Sequence, residues 1–162
     1  MVRGARQLSA RPLDRQSKMK SGIQISRVWS DDDVVELRIL VSDGTSCFSN
    51  KVYVGHAALE DAVSSLHVFK DHVHGGLYDL RFGEFGPEYA SGAFHARFHF
   101  PVPGRLFVSC EQESEFVEFA KKEVASRATI FVRSEPALLD RFIAELRALS
   151  AGTSEEACLE AV

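Results

Sequence analysis

The chain has 162 residues, 45% hydrophobic and 26% charged, which is enough for one globular domain with a substantial core. Its formal charge of −4 is uneven: residues 1–20 hold six Lys/Arg and one acid, a net of +5, which leaves −9 on the remainder. That balance disfavours nucleic acid as a partner and favours a basic protein, with simple solubility as its plainer use, and no apolar run approaches the ~20 residues that a membrane-spanning helix needs.

The three cysteines, Cys47, Cys110 and Cys158, are odd in number and form no CxxC or zinc-type spacing. Reduced thiols in a cytoplasmic setting are the expectation. The basic N-terminal stretch is followed by no apolar segment, so it does not read as a secretory signal. We expect a disordered basic leader over 1–20, one α+β domain over 22–150 and a frayed acidic tail over 151–162.

In chain order, Gly22 to Trp29 alternates as a first strand, and Asp31-Asp32-Asp33 forms a solvated turn. Val34 to Ser42 is a second strand, with Val35, Leu37, Ile39 and Val41 on one face. Asp43-Gly44 predicts a two-residue type I′ hairpin, with the return strand over Ser46 to Val54. His56 to Val73 carries apolar residues at helical spacing, Leu59, Val63, Leu66 and Phe69 among them. Leu77 to Phe85 alternates again. The most regular stretch is Phe94 to Cys110: Phe94, Ala96, Phe98 and Phe100 share one face, His95, Arg97 and His99 the other, and Pro101 to Gly104 make the turn.

For Glu113 to Val124 two readings compete, a short helix through Phe116, Phe119, Ala120 and Val124 or a continuation of the hairpin strand, and the helix is preferred. Ala128 to Arg133 is β-branched and aromatic, hence a strand. Ser134-Glu135-Pro136 predicts a helix start with Ser134 as N-cap. That helix runs to about Ser150 on a stripe of Leu138, Leu139, Phe142, Ile143, Leu146 and Leu149. The order predicts a single twisted antiparallel sheet of six or seven strands with two amphipathic helices packed on one face, an α+β fold.

No motif for catalysis, metal or phosphate stands out. His95 and His99 point the same way on a strand but sit about 13 Å apart, too far for one metal. His67, His72 and His74 gather near a helix end, where no nearby Asp, Glu or Cys completes a convincing set. Cys110 is followed by Glu111, Glu113 and Glu115, which oppose a thiolate. Glu84 and Glu88 form an acid pair in a Gly-rich loop, where an exposed loop is the plainer reading. No cofactor is expected. What remains is a surface: Asp31, Asp32 and Asp33 at one turn, His95, Arg97 and His99 on one strand face, and Glu111 and Glu113 on the next strand. With Tyr53, Phe107 and Tyr89 nearby they would make an acidic and aromatic docking face. A solvated sheet face is the alternative use of the same residues.

The layout resembles the immunity-protein-like families of bacterial polymorphic toxin systems. The resemblance rests on the opening meander, the helix containing Ala58-Leu59-Glu60-Asp61-Ala62-Val63, the strand Gly92-Ala93-Phe94 to Phe98-His99-Phe100, and the final Leu138-Leu139-Asp140-Arg141-Phe142 helix. It covers about residues 22–150. It implies a non-enzymatic cytoplasmic protein that binds and blocks a cognate toxin domain, with no functional residue fixed by a motif. The −9 charge of the folded part makes a basic partner the expectation, and the protein is expected as a monomer or as a homodimer through a sheet edge or face. The competing expectation is a small enzyme or ligand-binding domain with a pocket beneath the 94–110 hairpin, edged by His95, Arg97 and His99.

Overall fold

The computed structural model describes residues 20–89 and 91–162. The expected leader therefore lies outside the described residues except for Lys20. The chain forms β1 (Gly22–Ser30), β2 (Val34–Ser42), β3 (Cys47–Gly55), α1 (His56–Phe69), β4 (Leu77–Gly83), β5 (Ala93–Val102) and β6 (Arg105–Glu113). It continues through β7 (Val117–Phe119), β8 (Lys122–Val124), β9 (Arg127–Ser134), α2 (Pro136–Ser150) and β10 (Glu156–Glu160). The fold is α+β and its strand pairs are antiparallel.

The expected single sheet is instead two sheets of four strands and a two-stranded hairpin. Sheet one has the order β10-β1-β2-β3 and sheet two the order β4-β5-β6-β9. Period-2 alternation is the same for one eight-stranded sheet or two of four, so the pattern does not contain the division. The division falls at α1, which carries the chain away from β3 before β4 begins. The inner faces of both sheets and of both helices then share one core. Sheet one contributes Ile23, Ile25, Val35, Leu37, Ile39 and Val41, all at most 2% exposed. Sheet two contributes Phe82, Phe94, Phe98 and Phe100. Phe69 of α1 stacks on Phe100 at 5.0 Å between ring centres and meets Phe98 edge-on at 6.1 Å.

The sheets approach each other where β3 crosses β5 and β6. Asn50, 6% exposed, donates from Nδ2 to the carbonyls of Ala93 (3.0 Å) and Glu113 (2.9 Å). Gln112 donates from Nε2 to the Ile39 carbonyl (3.1 Å) and to Asn50 Oδ1 (2.7 Å). Burying two amides is tolerable only because they bond each other and the backbone. Gly92 sits at the same crossing with φ +103°, and a Cβ there would lie 2.2 Å from the Lys51 carbonyl oxygen. No side chain fits that approach.

Four local expectations are corrected. Asp43-Gly44 does not make a two-residue turn: only Gly44 has positive φ (+92°), and Asp43 Oδ1 accepts from the amides of Thr45 (2.8 Å) and Ser46 (2.6 Å), closing a four-residue loop. The preferred helix at 113–124 is the β7–β8 hairpin. Its two central residues, Ala120 (φ 50°) and Lys121 (φ 67°), both take the left-handed conformation that a tight hairpin turn needs. Ser134 is not the N-cap of α2; its hydroxyl donates to the Glu160 carbonyl at 2.7 Å, and Glu135 takes the cap position without a side-chain bond. The tail expected to fray instead forms β10, which pairs with β1 from Gly22↔Glu160 to Ser26↔Glu156 and buries Ala157 and Leu159. Two apolar side chains alternating with polar ones were enough to seat a five-residue strand.

Candidate binding face

The registers of sheet two place its outward side chains in rows across four strands. One row is Leu77, His99, Phe107 and Arg133, and the next is Asp79, Arg97, Ser109 and Phe131. The third is Arg81, His95, Glu111 and Thr129. Rows lie ~7 Å apart along the strands and columns ~4.8 Å apart.

The first two rows leave large apolar groups in water: Leu77 is 54% exposed, Phe107 37% and Phe131 68%. Beside them runs an ordered set of charges. Asp79 Oδ1 accepts from Arg97 Nε at 2.9 Å and Oδ2 accepts from the same guanidinium at 3.2 Å. His95 Nε2 lies 2.8 Å from Asp79 Oδ1. A carboxylate can only accept, so that nitrogen carries the proton. The other ring nitrogen is 3.8 Å from Glu111 Oε2. The Arg97 and His95 hydrogen bonds hold the Asp79 carboxyl down at about 2. The Arg133 guanidinium lies over the Phe107 ring, 5.8 Å from its centre.

Of the residues read from the sequence as partner-binding, His95, Arg97, His99 and Glu111 come together on this face. Asp31, Asp32 and Asp33 belong to sheet one. Asp31 closes its own turn there, with Oδ1 accepting from the amides of Asp33 and Val34, both at 2.8 Å, and these bonds lower its pKa. Tyr53 also lies on sheet one. Glu113 shares the parity of Glu111 but is 1% exposed. Its Oε1 accepts from the Gly86 amide at 2.8 Å, its other oxygen pairs with Arg127, and Arg127 stands 6.0 Å from the Phe85 ring. Glu113 thus fastens the loop after β4 and is not available to a partner. The expected gathering of acids does not occur on this face. Sequence reading missed Leu77, Phe131 and Arg133; the alternation of β9 placed the last two on the outer face, but their neighbours were legible only from the β6–β9 register.

At the turn end of the β5–β6 hairpin a surface cavity of about 320 Å³ is lined by Arg105, Phe107, Arg133 and Glu135. The space beneath the hairpin is filled by Phe94, Phe98 and Phe100, each 0% exposed. Burial pushes the Cys110 thiol up to about 12. Burial with Glu156 alongside does the same to Cys158. No group of three His, Cys, Asp or Glu side chains among the described residues is placed to hold a metal ion. None of the described helices is long and apolar enough to cross a membrane.

Fold and face together define an α+β domain with two four-stranded antiparallel sheets and one outward sheet face rich in aromatic and arginine side chains. No family model, curated protein or solved structure matches the chain.

Proposed function

We propose that the protein is a non-enzymatic binding domain that holds a protein partner on the outer face of sheet two. The observation that carries this reading is the exposure of Phe131, Phe107 and Leu77 on one regular sheet face, with Phe107 and Phe131 diagonal on adjacent strands and Leu77 across His99 from Phe107. Large aromatic groups in water beside preset ion pairs are the ingredients of an interface core and its polar rim. Phe119, 69% exposed on the β7–β8 hairpin, adds a further apolar contact on a separate projection. An inhibitor of a toxin domain is the specific form of this activity that the sequence layout suggests.

The test is co-purification with the protein encoded by the adjacent gene, using the native chain, a Phe107→Ala/Phe131→Ala double variant and a Tyr53→Ala control on sheet one. The expected result is retention by the native chain and the control and loss by the double variant. Equal recovery by all three would remove the face from the binding site.

A further inference from the structure

We propose that the partner segment seated on this face is acidic: it presents carboxylates around an apolar side chain, at the end of sheet two nearest the β5–β6 turn. The inference rests on the binding-domain reading and reverses the partner charge expected from the whole-chain balance. Residues 20–162 carry 14 Lys/Arg against 22 Asp/Glu. Five of those cations, Arg81, Arg97, Arg105, Arg127 and Arg133, stand on the outer face of one four-stranded sheet. A body negative overall thus concentrates positive charge on the face that also exposes its aromatic groups.

The acids on the face, Asp79, Glu111 and Glu113, cancel only part of this charge. Asp79 is engaged by Arg97 and His95, and Glu113 is buried against Arg127 and the Gly86 amide. Among the described residues Arg81, Arg105 and Arg133 make no ion pair. Arg105 and Arg133 flank Phe107, one along β6 and one across to β9, and Arg97 lies diagonally on the other side. The patch of Leu77, His99, Phe107 and Phe131 is therefore bracketed by three guanidinium groups within ~10 Å. All five cations are Arg and none is Lys. A guanidinium takes a carboxylate through two parallel bonds and sheds water more readily than an ammonium, so it is the cation suited to a contact that is desolvated on binding.

Single-stranded nucleic acid also offers anions and flat rings. Its evenly spaced phosphates would have to run past Asp79 and Glu111, whereas a peptide can place its acids only at the Arg105–Arg133 end. The observations therefore favour the peptide.

The full chain is titrated by NMR with a short peptide of Asp, Glu and Gly around a central Phe, with its Lys-for-acid counterpart and with single-stranded RNA. The acidic peptide is expected to shift the amide signals of 97, 105–107 and 131–133. An Arg105→Glu/Arg133→Glu variant, folded by its own spectrum, should weaken binding at least ~10-fold, and Arg38→Glu on sheet one should not. Stronger binding of the Lys peptide or of RNA at these residues overturns the acidic partner but leaves the face as a binding site. Absence of any shift there at millimolar acidic peptide overturns the acidic partner. Only the Phe107/Phe131 co-purification result can remove the underlying reading.

Discussion

The two sheets are built to the same strand count and differ in what they carry on each side. Sheet one is aliphatic within, with Ile23, Ile25, Leu37, Ile39 and Val52. Outside, Ser26 faces Arg38 across β1–β2 and Lys51 pairs with Glu36 at 3.7 Å, while Trp29 (47% exposed) and Tyr53 (48%) flank Glu36 in the next row. Sheet two is aromatic within, and outside it sets phenylalanine and arginine side by side. An outer face of short polar groups and cross-strand pairs, like the Ser26–Arg38–Lys51 row, is satisfied by water and by itself. One that leaves Phe131 68% exposed has surface whose burial by another molecule is favourable. The contrast is one of charge: arginines stand beside the exposed rings of sheet two, and Glu36 stands between Trp29 and Tyr53 on sheet one.

The sharpest way to break this comparison is through the interiors. Phe98→Ala removes a ring that meets Phe69 and Tyr78, with centres 6.1 and 6.3 Å away, and should cost ~3–5 kcal/mol in urea unfolding. Ile39→Val on sheet one should cost only ~0.5–1.5 kcal/mol. Comparable losses from the two would mean that the aromatic layer has no special weight.

A smaller effect is expected where the sheets join. Asn50→Ala deletes the donor to Ala93 and Glu113 and the acceptor of Gln112, leaving buried groups unpaired, at ~2 kcal/mol. Differential scanning calorimetry should show one lowered transition. Two separate transitions would mean that the sheets unfold independently and that this junction does not couple them.

The smallest effect belongs to the outer face of sheet two. Asp79 titrates at about 2 in the folded protein, below its ordinary 3.8. Its contribution is therefore complete above pH ~4 and lost as pH falls toward 2, and partial exposure limits it to ~1 kcal/mol or less. Asp79→Asn should flatten that part of the stability–pH curve and leave stability near pH 7 lower by the same small amount. An unchanged acid limb would show that the Asp79–Arg97 contact adds no stability.

Much of the chain was legible because local chemistry and tertiary environment agreed. The alternation of Val34 to Ser42 gave β2 with its observed bounds, and the Phe94–Phe100 series gave the inner face of β5 residue by residue. The Leu/Phe/Ile stripe of α2 is the buried stripe, with Leu138 half-buried at its margin. The failures fall where a long-range partner decides. Ser134 has the right identity for a cap, but the Glu160 carbonyl claims its hydroxyl. Glu113 reads as a surface acid and is sealed by a loop amide and an arginine from two other segments. Asp31–Asp33 are adjacent in sequence to nothing on sheet two, so no pattern could have separated them from Glu111. The candidate face was half visible: β5 and β6 supplied its histidines and Arg97, while Leu77, Phe131 and Arg133 arrive only through pairings with β4 and β9.

The strand β10 has one more consequence. It binds β1 across a separation of 132 positions, as between Gln24 and Glu156, and it is reached only after α2. During synthesis on a ribosome the backbone amides and carbonyls along that side of β1 are thus without their neighbour until residues 156–160 have emerged. Until then sheet one can hold at most β1, β2 and β3, and its completion requires a contact of high sequence separation, the kind that slows folding. Chaperone occupancy of nascent chains that stop short of residue 156 would be expected to fall once β10 is added.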